Sequence, residues 1–213
     1  MFERAVSAEL LLLIDELSKN AIIREFYLAG GTGLALHLGH RKSMDLDLFS
    51  QAIPDMNGIR EVIRELSGGI VEERRGTIHS LIRNIKVSFF YYPYPLLEET
   101  ADFRGLRVAR ITDIGCMKII AISQRGEKKD FIDLYEILKI KDISKMKENL
   151  IKKYGENELN CYHILKSLFY FEDAENDIDP EMFVETRWED VKSYFLMKRN
   201  EIIELCEFNL YND

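Results

Sequence analysis

The stretch that most constrains this chain runs from Phe26 to Phe49 and reads FYLAGGTGLALHLGHRKSMDLDLF. Its order predicts a short apolar strand, a glycine turn, a helix, a basic turn and a second strand. The second strand alternates from Met44 onward, and this period-two pattern places Asp45 and Asp47 on the same face. Because aspartate is depleted in strands, two aspartates at alternate positions indicate that this face has a function.

The glycine turn follows the first strand directly. Gly30 and Gly31 break that strand, Thr32 is placed to cap the helix, and Gly39 is placed to end it. Backbone N–H groups at a strand end that meets a helix N-terminus form an anion site for phosphates. Magnesium prefers carboxylate and phosphate oxygens, so the two aspartates could hold it beside a bound triphosphate. We favour this interpretation over a tight turn followed by a solvated surface strand.

The turn before the aspartates is basic, with the sequence His40-Arg41-Lys42-Ser43. Arg41 could hold triphosphate oxygens through its guanidinium group, and Ser43 could donate a hydrogen bond to one of them. A solvated basic turn is the alternative. The sequence alone leaves these two interpretations of Arg41 open.

Strand patterns continue to about Ile111 and then disappear. Before that point, strands are predicted at Ile70–Glu73, Thr77–Ile82 and Ile85–Tyr92, with a hairpin turn at Arg83–Asn84. After it, helical patterns run to a last helix around Trp188–Phe208, and Thr112 or Asp113 is placed to cap the first of these helices. The layout predicts an α+β protein, with an α/β domain over 1–111 and a helical domain over 112–213.

The hairpin strand before Tyr92 also alternates, so that Lys86 and Ser88 share a face. If it lies beside the aspartate strand, Ser88 would point toward the metal. Tyr92 and Tyr94 could stack on a base, although aromatic residues beside a proline turn more often lie in a core or at its rim. His79 is a lone histidine, and we expect it to serve packing or to lie on the surface.

A second group of charged residues lies in the helical half. Lys118 and Arg125 are two helical turns apart, so both can face the same way. Asp130 and Asp133 begin the following helix, where carboxylates suit the positive end of the helix dipole. A salt-bridged helix pair on the surface is the alternative, and we favour a functional role for Lys118 and Asp130.

Composition indicates an ordinary folded protein. The chain has 213 residues, 46% of them hydrophobic, and a net charge of −8, which argues against a protein that coats nucleic acid without specificity. The apolar run near the start is too short and too charged for a membrane span, and it lacks the features of a signal peptide. Cys116, Cys161 and Cys206 form no CxxC pair, and we expect them to be buried, reduced thiols of a cytoplasmic protein.

Two segments carry a family resemblance. GGTGLALHLGHRKSMDLDLF resembles the first motif of the AbiEii/AbiGii toxin-like nucleotidyltransferases, which belong to the polymerase-β-like superfamily. DIGCMKIIAISQRGEKKDFIDLYEIL resembles the lysine and the later acidic motif of the same family. The resemblance implies a nucleotidyltransferase-like mixed sheet with flanking helices, followed by a helical domain. It also implies the toxin half of a toxin–antitoxin or abortive-infection pair.

The resemblance assigns roles to individual residues. It implies that the triphosphate is bound by Gly30, Gly31 and Thr32, that Mg²⁺ or Mn²⁺ is bound by Asp45 and Asp47, that Lys118 contacts the phosphates and that Asp130 is a later essential acid. The implied reaction transfers a nucleotide from a nucleoside triphosphate (NTP) to an acceptor such as the 3′ end of tRNA or a protein, and the implied partner is a cognate antitoxin.

One position departs from the superfamily pattern. Polymerase-β-like enzymes often carry a third carboxylate on a neighbouring strand, whereas this strand reads KVSFFYY and has Ser88 at the expected place. The departure keeps a second interpretation open, in which the protein is a non-catalytic nucleotide- or partner-binding module on the same fold.

Overall fold

The computed structural model describes residues 1–204, and its contacts divide the chain into two compact units, Met1–Arg110 and Ile111–Asp213. Among the described helices, none has both the length and the apolar character that crossing a membrane requires.

The first unit is built on a mixed sheet. Its longer helices are α1 (Ala8–Leu17), α2 (Gly30–Leu38) and α3 (Met56–Glu65). Its strands are β1 (Tyr27–Leu28), β2 (Leu46–Ser50), β3 (Gly69–Arg74), β4 (Thr77–Ile82), β5 (Ile85–Tyr91), β6 (Ala101–Phe103) and β7 (Leu106–Val108). The predicted mixed sheet with flanking helices is confirmed, although β6 was not predicted.

The strand order places β2 near the centre of the sheet. Across the described residues the order is β3-β4-β5-β2-β1-β7-β6. β2 runs parallel to β5 and antiparallel to β1, while β4 and β5 form an antiparallel hairpin. Asp47 lies opposite Ser88 on β5, and Ser88 lies opposite His79 on β4. These three side chains therefore form one row on the same face of the sheet.

The two faces of the sheet differ in chemistry. Leu46 and Leu48 of β2 are fully buried and belong to one apolar cluster with residues of α1 and α3, including Leu13 and Ile59. Each fully buried side chain of this kind stabilises the fold by about 1.5–3 kcal/mol. Asp47 and Phe49, on the other side of β2, are only half-buried. The period-two prediction is confirmed from Leu46 onward, but it is wrong for Met44 and Asp45, which lie outside the strand, and Met44 is exposed.

Local signals fix several element ends as the sequence predicted. The Ser7 side chain accepts a hydrogen bond from the Leu10 N–H at 3.2 Å and caps α1. Gly39 has φ +63° and ends α2 in the left-handed conformation. Arg83 and Asn84 have φ values of +51° and +64°, as a two-residue hairpin turn of type I′ requires.

The second unit is helical in its described part. Its helices are α4 (Ile111–Arg125), α5 (Lys128–Leu138), α6 (Ile143–Tyr154), α7 (Cys161–Leu168), α8 (Glu172–Glu175), α9 (Trp188–Met197) and α10 (Arg199–Glu204). The prediction of one last helix over Trp188–Phe208 is wrong in its described part, because α9 ends before Lys198 and α10 begins after it. The end of that prediction, with Cys206, lies outside the described residues.

The predicted cap of α4 is also wrong. Thr112 and Asp113 lie within α4, and both are buried. The Asp113 carboxylate lies 2.7 Å from the Lys153 ammonium group of α6, and neither side chain is exposed to solvent. Asp113 therefore balances a buried charge rather than capping the helix.

The cysteine prediction is confirmed for one residue and wrong for another. Cys116 is fully buried in α4, and burial raises the pKa of its thiol to about 12. Such a thiol stays protonated and unreactive near neutral pH. Cys161, by contrast, is only half-buried, because it lies in the first turn of α7 rather than within an apolar face.

Candidate active site

The turn at Gly30 brings the N-terminus of α2 and the Asp47 side chain together. Helix α2 begins at Gly30, directly after β1, and Gly30 has φ +61°. A Cβ atom built on Gly30 would lie 2.7 Å from Oδ2 of Asp47. The carboxylate of Asp47 therefore rests against the backbone of the turn, in a space that only glycine leaves open.

Thr32 ties this helix to the segment that carries the first aspartate. Its hydroxyl group lies 2.7 Å from Oγ of Ser43 and donates a hydrogen bond to the backbone carbonyl of Asp45. The predicted cap at Thr32 is wrong, because the helix begins two residues earlier and its N-cap is Ala29. The side chain of Ala29 offers no acceptor, so the N-terminal N–H groups of α2 are not capped by it.

The Arg41 side chain is buried against the glycine turn. Only 4% of the residue is exposed, and a Cβ atom built on Gly31 would overlap its Nη2 atom. Its Nη1 atom donates to the carbonyl of Lys42 at 3.0 Å, and Ser43 also lies close to Gly31. The alternative of a solvated basic turn is therefore wrong for Arg41. Its guanidinium group lies at the glycine turn, where a phosphate role stays a prediction.

The two aspartates are the predicted oxygen donors for a metal. Asp45 directly precedes β2, Asp47 lies within it, and both are half-buried. No group of three metal-binding side chains drawn from His, Cys, Asp and Glu occurs in the described part of the chain. Two carboxylates nevertheless fit Mg²⁺, which proteins usually bind through one or two carboxylates together with substrate phosphates.

A polar pair continues the row beyond Asp47. Oγ of Ser88 lies 2.9 Å from Nδ1 of His79, across the β4–β5 hairpin. Only 1% of Ser88 is exposed, and His79 is half-buried. The sequence interpretation missed this contact by treating His79 as a lone residue. The signal was available, because counting outward from the two-residue turn pairs His79 with Ser88.

Aromatic side chains line the next row of the same face. The Phe49 ring stacks on Phe90 with centroids 4.9 Å apart and on Tyr27 at 5.9 Å. Tyr92 meets Phe49 edge-on at 5.4 Å, and Tyr94 meets Tyr92 in the same way at 4.8 Å. Edge-on and offset-stacked pairs are the favoured geometries for aromatic rings. Tyr92 and Tyr94 thus extend this aromatic row rather than standing apart from the fold.

The second unit contains a buried charge cluster of its own. The Lys118 ammonium group lies 2.6 Å from Asp130 and 2.6 Å from Asp133, and the side chain of Lys118 is 4% exposed. Arg125, which is about half exposed, donates to both carboxylate oxygens of Asp130 at 2.7 and 3.0 Å. The two-turn spacing therefore does bring both cations to one carboxylate, and the surface alternative is wrong.

The charges of this cluster control the ionisation of Asp130. Burial by itself would raise the pKa of its carboxyl group. The charge of Lys118 and the hydrogen bonds of Arg125 outweigh burial, so the pKa of Asp130 lies below its ordinary value. Asp130 is consequently a carboxylate, not a carboxylic acid, near neutral pH.

A family model described as the nucleotidyl transferase AbiEii toxin of a type IV toxin–antitoxin system matches residues 11–97 and 88–202. The chain belongs to the AbiEii nucleotidyltransferase toxin family. A relative of this AbiEii protein is aq_aa25 of Aquifex aeolicus, which is 37% identical over 198 residues covering 90% of this chain and 94% of that protein.

Two solved structures share the fold of this AbiEii protein. One is a candidate nucleotidyltransferase from H. pylori, with 18% identity and a TM-score of 0.53 over 97% of this chain and 98% of that one. The other is MenT4, a nucleotidyltransferase toxin of Mycobacterium tuberculosis H37Rv, with 15% identity and a TM-score of 0.51 over 93% and 84% of the two chains. The predicted nucleotidyltransferase-like fold is thereby confirmed.

The predicted site residues of this AbiEii protein fall into groups that touch. The contacts pair Gly30 with Asp47, Gly31 with Arg41, Thr32 with Ser43 and Asp45, and Lys118 with Asp130. The first three groups lie in the first unit and the fourth in the second. Their roles in binding and catalysis stay predictions.

Proposed function

We propose that this protein is a metal-dependent nucleotidyltransferase that transfers a nucleotide from an NTP to an acceptor hydroxyl. The acceptor would be the 3′ end of tRNA or a protein, and the biological role that of a cytoplasmic toxin held in check by a cognate antitoxin. One observation carries the proposal, namely the Asp47 carboxylate resting against the Gly30 turn at the N-terminus of α2. This juxtaposition supports the proposal, because a carboxylate suited to a metal ion lies beside backbone N–H groups suited to phosphate.

The phosphates of the NTP would occupy the glycine turn. Backbone N–H groups from Gly30 to Thr32 would donate to phosphate oxygens, and the positive end of the α2 dipole favours the negative charge. Arg41 would add a charge-assisted hydrogen bond from a guanidinium group that already lies at Gly31. Serine and threonine hydroxyls would keep this turn in register with the aspartates.

Asp45 and Asp47 would hold Mg²⁺ or Mn²⁺ together with the triphosphate. When bound, the metal supplies neutralisation of phosphate charge and polarises the phosphoryl oxygens. In the transfer, the acceptor oxygen forms a bond to the α-phosphorus while the bond from that phosphorus to pyrophosphate breaks. Pyrophosphate leaves with the electron pair, and the hydroxyl proton passes to solvent.

Roles in the reaction are also proposed for Lys118 and Asp130, which lie in the second unit. A buried ion cluster is weak support for stability on its own, since removing charges from water is expensive. This favours a further reason for the cluster, and the family resemblance implies one in phosphate binding and catalysis. Lys153 offers a matched control, because it is another buried lysine of the same unit with a carboxylate partner at 2.7 Å. Lys118→Met should abolish transfer, whereas folded Lys153→Met protein should retain it.

The main experiment measures label transfer. Wild-type protein is incubated with each labelled NTP, Mg²⁺ and either total RNA or cell lysate, and the labelled product is separated on a gel. Asp45→Asn and Asp47→Asn should each remove transfer, because each variant loses one carboxylate of the metal site. Asp102→Asn is the control, since Asp102 lies on β6 at an edge of the sheet. Absence of transfer by the wild type to any acceptor would refute the proposal.

The alternative is a binding module without turnover, and one observation favours it. Ser88 lies opposite Asp47, where the superfamily often places a third acid. A thermal-unfolding assay separates the two functions. The module predicts that an NTP raises the melting temperature only with Mg²⁺ and both aspartates, while no label is transferred. The nucleotidyltransferase predicts the same stabilisation together with transfer.

A further inference from the structure

The hydrogen bond between Ser88 and His79 joins two side chains across the hairpin, in addition to the backbone pairing of β4 and β5. Ser80, on the same pair of strands, shows the contrast, since its hydroxyl donates to the backbone carbonyl of Val87 at 2.8 Å on the core side. Ser88 instead meets a side chain, Nδ1 of His79, on the face that carries Asp47. The backbone register pairs β4 with β5 along the whole of β4. The side-chain pair is an additional contact, and it lies on the polar face of the sheet.

The strand order shows on which side of Asp47 the Ser88–His79 pair lies. β1, which leads into the glycine turn, neighbours β2 on one side, and β5 neighbours β2 on the other. The phosphate turn and Ser88 therefore flank Asp47 from opposite sides. In an in-line displacement the attacking and leaving oxygens lie on opposite sides of phosphorus. If pyrophosphate leaves at the Gly30 side, the acceptor hydroxyl must approach over β5 and β4.

The pair is suited to orienting a hydroxyl group. A serine hydroxyl rotates freely, and a single hydrogen bond to a fixed partner selects one rotamer. His79 is itself fixed, because its ring meets Phe90 edge-on with centroids 5.5 Å apart. Ser88 is 1% exposed, so its contact with His79 is shielded from water, and an acceptor hydroxyl must displace the groups that cover Ser88 in order to reach it.

We propose that Ser88 and His79 form the acceptor side of the site. His79 is a positioning residue that holds the Ser88 hydroxyl, and Ser88 hydrogen-bonds the attacking hydroxyl of the acceptor. Ser88 thus takes the place on β5 at which related enzymes often carry a third carboxylate, and His79 supports it from β4. This inference rests on the proposed nucleotidyl transfer and names the group that receives its acceptor.

The test compares substitutions at the two positions. His79→Ala and Ser88→Ala should each lower kcat by about 10- to 100-fold, as misplacement of a reacting group does. The KM for the NTP should not change, because the phosphates bind on the other side of Asp47. The double variant should be no slower than Ser88→Ala alone, since His79 acts only through the Ser88 hydroxyl. Ser80→Ala, on the opposite face, should transfer at the wild-type rate.

Two further substitutions test the positioning role. The amide of asparagine reaches the place of Nδ1, so His79→Asn should restore most of the rate. Glutamine reaches the place of Nε2, which does not contact Ser88, so His79→Gln should not restore it. If His79→Ala fails to fold, this pair carries the same comparison, with thermal unfolding as the check on folding.

Each remaining outcome overturns a defined part of the reasoning. An inactive wild type overturns the proposed function and this inference together. An active wild type with an inactive Asp47→Asn variant and fully active His79→Ala and Ser88→Ala variants overturns the inference alone. Additive losses, or equal rescue by asparagine and glutamine, would also overturn it, because the pair would not act through the Nδ1 contact.

Discussion

The substitution Gly30→Ala tests the contact on which the proposed function rests. The new methyl group would lie 2.7 Å from Oδ2 of Asp47, and an ordinary contact begins at 3.4 Å. The carboxylate must therefore move by about 0.7 Å, or the turn must open by the same amount. A displacement of this order at a reacting centre lowers the rate by up to about 100-fold.

The same substitution has a second, unspecific effect that must be separated from the first. An alanine with φ +61° pays the left-handed backbone penalty, about 1–2 kcal/mol. Gly155→Ala is the control, because Gly155 also has positive φ, +82°, and among the described residues its added methyl group would meet only Glu158, at 4.0 Å. Both variants should lose stability in urea unfolding, Gly155→Ala at least as much because its ψ of +141° lies outside the left-handed helical region, and only Gly30→Ala should lose activity.

The assay is the initial rate of label transfer with Mg²⁺, divided by the folded fraction from a thermal melt. The expected result is a loss of about 100-fold for Gly30→Ala and less than about twofold for Gly155→Ala. A wild-type rate for Gly30→Ala would refute the idea that Asp47 must rest against the turn. An equal loss in both variants would show that the effect is one of stability rather than of geometry.

Three other substitutions have outcomes that the structure fixes. Lys153→Met leaves the buried Asp113 carboxylate without its 2.7 Å partner and should lower the free energy of unfolding by about 3–5 kcal/mol. Adding Asp113→Leu should recover most of that loss. Urea unfolding measures both effects. Thr32→Val removes the hydroxyl that contacts Ser43 and should lower stability by about 1–3 kcal/mol and weaken Mg²⁺-dependent stabilisation by an NTP. Asp130 has a lowered pKa, so its contribution to stability is complete above its ordinary pKa of 3.8 and is lost as the pH falls through the lowered folded value. Asp130→Asn should therefore remove part of the acid dependence of unfolding, measured by urea titrations at several pH values.

Each of these three has a result that would contradict it. A double Lys153 and Asp113 variant as unstable as the single variant would show that lost packing, not the stranded charge, is responsible. Unchanged NTP stabilisation in Thr32→Val would separate the hydroxyl from the phosphate turn. An unaltered acid profile in Asp130→Asn would place the acid sensitivity of the protein at other carboxyl groups.

Much of the first unit could be predicted because its signals are local. Alternation identified β2 and the face that carries Asp47, and Arg83–Asn84 identified the hairpin turn. The two-residue turn also sets the register that places His79 opposite Ser88. Patterns of this kind are reliable because one buried face of a sheet specifies which residues point toward it.

The features that could not be predicted depend on partners far along the chain. Aspartate is a common helix N-cap residue, so the sequence around Asp113 predicted a cap. Asp113 instead pairs with Lys153, which lies forty residues further along the chain. The sequence left it open whether Arg41 is solvated, and only the fold shows that its guanidinium group lies at Gly31. β6 has three residues, which is too short for any periodicity to show.

The alternation of β2 has a consequence for how this family can change by insertion and deletion. A strand shifted by one residue exchanges its two faces, whereas a shift of two residues restores them. If β2 rather than the loop took up the removal of one residue between Gly39 and Leu46, leucines would face the polar side and Asp47 would turn toward the core. The loop ahead of the strand must therefore absorb a change of one residue within itself, because the buried leucines hold β2 in its register.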